Sequence, residues 1–428
     1  MSKVYVDSDQ IFIPECDLKA NVKGKSMVPN RDTDSIEWRI HAMCERVNGA
    51  QQAGYYYYNI PINELRGGAK VLVDGREMSM FASYSYLGLI GHPRINAAAR
   101  KAIDNFGTGT HGVRTLAGTL KLHREMEETI AEFEGTEDSI TFSSGYITNL
   151  TTISTFVGRH DYVFSDKLNH ASIVDGCLMS GAKFIRFRHN DMEELDMRLG
   201  EAPSQVAKLV VCDAVFSMDG DVINLPSVVE LCKKHDAWLM VDEAHSIGVL
   251  GETGKGIEEH FGIEGAVDIK MGTLSKTIPS VGGYIAGSAD MIKYLRHQSR
   301  AYIFSAALPP AQAAAAMEAF HVIRDEPWRV EKLRENTDLF IKGLQSRGFD
   351  TMRTETAIVP LLCGTDEKAF EMTRGVHERD VFVLPVISPA VPEGLARLRT
   401  TVTADHEPEE IERVMDIFEQ VGKNVGIL

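Results

Sequence analysis

From residue 138 to residue 274 the chain repeats one pattern. Six short runs rich in β-branched and aromatic residues, DSITFSS, DYVFSD, AKFIRF, AKLVVCDAV, AWLMVDEA and VDIKMGTL, read as strands. Helical segments are expected between them, and SVVELCKKHD at 227–236 is one. Such alternation leaves few options: an α/β fold with a largely parallel sheet wrapped by helices.

The flanks read differently. Residues 1–94 hold an N-terminal arm, a first helix in SIEWRIHAMCERVNGAQQ, and a hairpin in VLVDGREMSMFAS that turns at Asp74-Gly75. The large α/β domain spans 95–309. Within it, LKLHREMEETIAEFEG places Leu122, Met126, Ile130 and Phe133 on one helical face, with Gly135 as the stop. After ALPPAQAAAAMEAF the pattern turns to helix, then the short strands TAIVPLLCG and ARLRTTVTA, then an acidic helix. That gives a smaller α+β domain over 310–428.

Composition removes several classes of function. A formal net charge of −16 argues against a general nucleic-acid binder. No run approaches the roughly 18 apolar residues that span a bilayer, and MSKVYVDSDQIFIPEC lacks the apolar stretch of a secretory signal. The six cysteines are scattered without a C-x-x-C, which indicates neither a zinc knuckle nor a disulfide framework, and points to reduced thiols in the cytoplasm.

Two motifs tempt and fail. GTGTHG at 107–112 fits G-x-G-x-x-G, yet the dinucleotide fingerprint needs a strand before it, and NAAARKAIDNF reads as helix. VDEAH at 241–245 suits an ATP-driven motor only with a phosphate-cradling G-x-x-x-x-G-K-[ST] upstream, and none is there.

What remains is a constellation. Asp242, His245 and Lys276 fall at the carboxyl ends of strand candidates, the edge where open α/β sheets bind ligands. In MGTLSKT (271–277) a single lysine stands behind small hydroxyl residues, just ahead of PSVGGYIAG. A surface lysine would be ordinary there. With a carboxylate and an imidazole beside it, the set matches pyridoxal phosphate chemistry. Lysine forms the imine with the aldehyde, and a carboxylate keeps the ring nitrogen protonated so that the ring accepts electrons.

In nine motifs taken in order the chain resembles the α-oxoamine synthases, fold type I pyridoxal phosphate enzymes. These are YLGL (86–89), GTGTHGVRTLAGT (107–119), FSSGY (142–146), NHASIVDG (169–176), VFSMDGD (215–221), VDEAHSIGVLG (241–251), GTLSK (272–276), FSAALPP (304–310) and ARLRTTVTADH (396–406). The resemblance implies a seven-stranded-type sheet and roles for particular residues. Lys276 would form the imine and take the substrate's α-proton, and Asp242 would pair with the pyridinium nitrogen. His170 would stack on the ring face, and His245 would bond the ring hydroxyl or the incoming acyl group. Ser144, Gly145, Tyr146 and Thr273 would hold the phosphate, with Ser305 added from a second subunit. Ser217 would sit near the ring hydroxyl. Arg397 would bind the substrate carboxylate, with Arg399 as the fallback.

It further implies a homodimer that condenses an amino acid with an acyl thioester, carried by coenzyme A or by an acyl-carrier protein. Transamination or aldol cleavage on the same fold is the alternative chemistry. A non-catalytic partner subunit is the alternative class, though such subunits typically lack the lysine. The chain departs from the family at FASYSYLGL, where Tyr84 and Ser85 replace asparagine-containing pairs, and at Pro279 and Ala306. Tyr84 therefore joins the substrate-binding candidates, and the choice of amino acid stays open.

Overall fold

The computed structural model describes residues 36–428, so most of the expected N-terminal arm, with Cys16, lies outside the described residues. A seven-stranded sheet runs through the centre in the order Asp138–Phe142, Pro279–Gly287, Ile269–Ser275, Trp238–Asp242, Lys208–Asp213, Tyr162–Asp166, Lys183–Phe187. The last five strands of that row are parallel. Pro279–Gly287 runs against both of its neighbours.

All six strands read from the sequence are in this sheet; the antiparallel seventh was missed. Its sequence, PSVGGYIAG, carries a proline and two adjacent glycines and so reads as a turn. The reason lies in packing. A Cβ at Gly283 would meet Thr148 Oγ1 at 2.5 Å and Gly145 Cα at 2.8 Å. Glycine there lets the start of the helix Gly145–Phe156 sit directly on the strand.

Helices cover the sheet as the alternation requires. The helix Lys121–Glu134 buries Leu122, Met126, Ile130 and Phe133 and stops at Gly135, whose φ of 65° suits glycine. Each such buried side chain contributes about 1.5–3 kcal/mol. The segment GTGTHG follows the helix Pro93–Phe106 rather than a strand, so it has no dinucleotide geometry.

The hairpin turns as expected: Lys70–Val73 pairs with Arg76–Met80 around Asp74 (φ 48°) and Gly75 (φ 79°). Its second strand also pairs, in parallel, with Val381–Phe382, tying the hairpin to the C-terminal part of the chain. There a three-stranded antiparallel sheet, Ile358–Gly364, Ala396–Thr401 and Leu384–Val386, is backed by the helix Asp366–His377, on which Pro408–Val425 packs. The helix Pro310–Asp325 packs on Pro93–Phe106 and Lys121–Glu134. No helix among the described residues is long and apolar enough to cross a membrane.

Candidate active site

Parallel strands bring their carboxyl ends to one edge, and chain-terminal residues of the strands gather there. Asp213 and Asp242 end adjacent strands and stand side by side in register. Lys276 follows the strand Ile269–Ser275, and Ser144 lies just past Asp138–Phe142. Between them is a cavity of about 270 Å³, lined among others by Ser144, His170, Asp242, His245, Thr273 and Lys276. Gly145, Tyr146 and Ser217 lie on its wall as well.

The acid at its base is immobilised. Asn149 Nδ2 donates to Asp242 Oδ2 at 2.6 Å, and the backbone N–H of Ala244 donates to Oδ1 at 2.9 Å. Asn149 Nδ2 also reaches Ser172 Oγ at 2.9 Å, which in turn meets His170 Nδ1 at 2.7 Å. His170 caps the helix Ala171–Ser180, and its backbone N–H donates to Asp213 at 2.9 Å. Burial, with Asp242 alongside, pushes the Asp213 carboxyl well above its usual range.

The lysine faces this acid across the cavity. Its Nζ lies 2.8 Å from His245 Nε2, and His245 Nδ1 lies 2.6 Å from the Tyr86 hydroxyl. Burial pulls the Lys276 ammonium down to about 8; Asp242 and Asp213 resist and Arg399 assists. Burial, helped by Lys276 and Arg399, also holds His245 neutral, well below the ordinary imidazole range.

The other end of the cavity is a helix start flanked by hydroxyls. Ser144 caps the helix Gly145–Phe156, accepting from the N–H of Ile147 at 3.2 Å. A Cβ at Gly145 would meet Thr273 Oγ1 at 2.8 Å, so backbone and hydroxyl come close there. Tyr146 turns its hydroxyl to Asp175 and sets its ring edge-on to His170 at 6.2 Å.

The two arginines separate. Arg397 is buried, ion-paired with Asp219 and bonded to Leu395 O at 3.0 Å. Arg399 gives its Nε to Ser217 O at 2.6 Å, lies 4.8 Å over the Tyr84 ring, and keeps Nη2 buried without a partner. Tyr84 in turn stands edge-on to His245 at 5.7 Å. Ser305 is elsewhere, in a small separate cavity with Arg114, Thr141 and Tyr302.

Class I and II aminotransferases match this chain over residues 76–418. An 8-amino-7-oxononanoate synthase of Thermoanaerobacter pseudethanolicus is 42% identical, covering 90% of this chain and 97% of its own. A serine palmitoyltransferase of Sphingobacterium spiritivorum is 44% identical over 87% of this chain and 94% of its own. A solved serine palmitoyltransferase from S. paucimobilis, with pyridoxal phosphate and myriocin bound, superposes with a TM-score of 0.89 at 34% identity, over 92% of this chain and 100% of that one.

The chain belongs to the α-oxoamine synthase family.

As an α-oxoamine synthase it is a fold type I, pyridoxal phosphate-dependent acyltransferase. Its cavity fits that cofactor on the chemistry of the donors. An amine stands ready for an aldehyde, a fixed carboxylate for a ring nitrogen, and a helix start with hydroxyls for a phosphate. The synthase site also contains residues the sequence did not single out. Asn149 and Asp213 carried no spacing signal, because their roles arise from contacts across separate strands and helices, and Ser172 was visible inside NHASIVDG without a role. Tyr86 was visible inside YLGL, without a role.

Proposed function

We propose that the chain joins a small amino acid to the acyl group of a thioester, releasing carbon dioxide and a free thiol and leaving an α-amino ketone. One observation carries the reading: an amine with a pKa lowered to about 8 stands 2.8 Å from His245, in the same cavity as the clamped Asp242. Pyridoxal phosphate, when bound, supplies an aldehyde that captures the substrate amine and a ring that accepts electrons from the α-carbon.

The chain's own residues do the rest. Asp242, held at both oxygens, would keep the proton on the ring nitrogen. Ser144, Gly145, Tyr146 and Thr273 receive the phosphate at the helix start. His170, fixed by Ser172, would flank the ring, and the Ser217 hydroxyl on the same cavity wall would serve the ring hydroxyl. Lys276, as the neutral amine, takes the α-proton. His245 presents Nε2 to that amine and to the incoming acyl oxygen.

Arg399 rather than Arg397 receives the substrate carboxylate, because its Nη2 is free while Arg397 is committed to Asp219. Tyr84 flanks the same place. A second cavity of about 590 Å³, lined by Leu65, Tyr84, Leu89, Ile90 and Ile95, reaches Lys276 and suits the acyl thioester.

A homodimer with shared sites is part of the proposal. The segments around Val113 and Ala306 meet through a bridge and expose Leu116 (84%) and Phe304 (73%). Apolar side chains this open favour a covering surface, and Ser305 beside them would serve the second copy's phosphate. We place the reaction in the cytoplasm, where the unpaired thiols of Cys177, Cys212, Cys232 and Cys363 stay reduced.

The test is thiol and carbon dioxide release across a panel of amino acids with thioesters of coenzyme A and of a carrier protein. Equal yields of both products are expected, and Lys276→Ala abolishes them together with the cofactor's absorbance. Full turnover by Lys276→Ala, or an amino group transferred without carbon dioxide, overturns the proposal.

A further inference from the structure

The turn that carries Ser217 is gripped from both sides. From the C-terminal sheet, Arg399 Nε donates to Ser217 O at 2.6 Å and Arg397 Nη1 to Met218 O at 3.4 Å. Gly220 O accepts from the N–H of Glu355 at 3.1 Å and from Thr356 Oγ1 at 3.0 Å. A Cβ at Gly220 (φ 74°) would meet Ile358 O at 2.1 Å, so here backbone lies on backbone. From the central sheet, His189 bridges Asp221 at 2.7 Å and Asp166 at 3.1 Å, with Phe216 edge-on at 4.3 Å. Inside the turn, the Phe216 N–H donates to Asp221 O at 3.0 Å and the Gly220 N–H donates to Phe216 O at 2.8 Å.

Two consecutive carbonyls of this turn thus hold two arginines that stand two residues apart on one strand, and so on one face. Only one arginine also meets a carboxylate of the turn. Asp219 pairs with Arg397, whose side chain is 2% exposed, whereas Arg399 is left with a buried, unpartnered Nη2.

We infer that Asp219 is a positioning residue for the amino-acid substrate: by pinning Arg397 to the turn it fixes how the neighbouring Arg399 presents its free guanidinium edge, and it removes Arg397 as a competing carboxylate site. The inference rests on the reading of Arg399 as the carboxylate holder. Its chemistry follows from charge. Two buried guanidinium groups on one strand face would both attract a substrate carboxylate; neutralising one leaves a single site, the Nη2 of Arg399, whose Nε and Nη1 are held by Ser217 O and Thr401 Oγ1. Ser217 belongs to the same turn, so the cofactor side and the carboxylate side of the site share one rigid piece of backbone.

Steady-state kinetics on the cofactor-loaded enzyme test this with Asp219→Ala, Asp219→Asn and Asp219→Glu, beside Arg399→Lys. Asp219→Ala and Asp219→Asn should raise the amino-acid KM about tenfold, keep kcat within about threefold, and leave the thioester KM and the cofactor absorbance unchanged. Asp219→Glu should recover most of the loss, which a merely structural role would not predict. An unchanged amino-acid KM in the Asp219 variants overturns the inference, as does a parallel loss of kcat and cofactor binding. Arg399→Lys tells the two readings apart. If it leaves that KM alone, the carboxylate reading itself falls. If it raises KM while the Asp219 variants do not, only the positioning role falls.

Discussion

Lys276 Nζ lies 2.8 Å from His245 Nε2. A neutral imidazole donates from one nitrogen and accepts at the other, so this contact can run in either direction. With an ammonium at Lys276, Nε2 accepts and Nδ1–H donates to the Tyr86 oxygen. With a neutral amine, the Tyr86 hydroxyl donates to Nδ1 and Nε2–H donates to the nitrogen lone pair. Burial keeps the Tyr86 hydroxyl protonated, above the ordinary phenol range. The relay therefore leaves both ring nitrogens of His245 partnered in either state of the lysine.

The lowered lysine pKa has a kinetic signature. Only the neutral amine attacks an aldehyde, and half of Lys276 is neutral near pH 8 in the folded chain. The rate at which cofactor-free enzyme takes up pyridoxal phosphate should rise through pH 8 and level off above it. Stopped-flow absorbance across pH 6.5–9.5 checks this; a midpoint near the free-lysine value of about 10.4 would contradict it.

Tyr86→Phe removes one hydroxyl from the relay. His245 Nδ1 then has no partner at 2.6 Å, and the variant is expected to lose about tenfold in kcat, on the order of 1.4 kcal/mol, comparable to one buried hydrogen bond. Cofactor content should stay near that of the parent. Parallel measurement of kcat and of bound cofactor separates the two effects.

Glu127 anchors the segment around Arg114. Its carboxylate is fully buried and meets Arg114 at 2.8 Å, Arg124 at 2.5 Å and Arg296 at 3.7 Å. One carboxylate thus serves three guanidinium groups, and its loss leaves Arg114 buried and unpaired. Glu127→Gln should cost about 3–5 kcal/mol, against about 1 kcal/mol for the more exposed Arg124→Ala. Urea denaturation of the cofactor-loaded protein measures both.

His189 makes stability fall with rising pH. Burial lowers its pKa, but bonds to Asp166 and Asp221 outweigh that and raise it to about 10. The folded chain therefore keeps a proton that the unfolded chain sheds near pH 6.5. The stabilisation is whole below about pH 6.5 and disappears as pH climbs through about 10. Calorimetry should show Tm declining over that window, and less steeply in His189→Gln.

The parallel strands and the helices between them were legible in the chain because both depend on local periodicity and on which faces are apolar. So was the ordered motif set, and with it Lys276, Asp242 and His170, since each stands next to a strand end or helix start that the sequence marks. The antiparallel strand Pro279–Gly287 was not legible. Its glycines answer to a helix packed against it, a demand that comes from outside the segment. From the sequence, Arg397 is the choice for the substrate carboxylate, with Arg399 as the fallback; the two share a strand face and differ only in what lies opposite, which local spacing does not carry. Asp219 stands on a distant turn, and contacts between segments far apart in the chain are set when the sheets pack, not by local spacing.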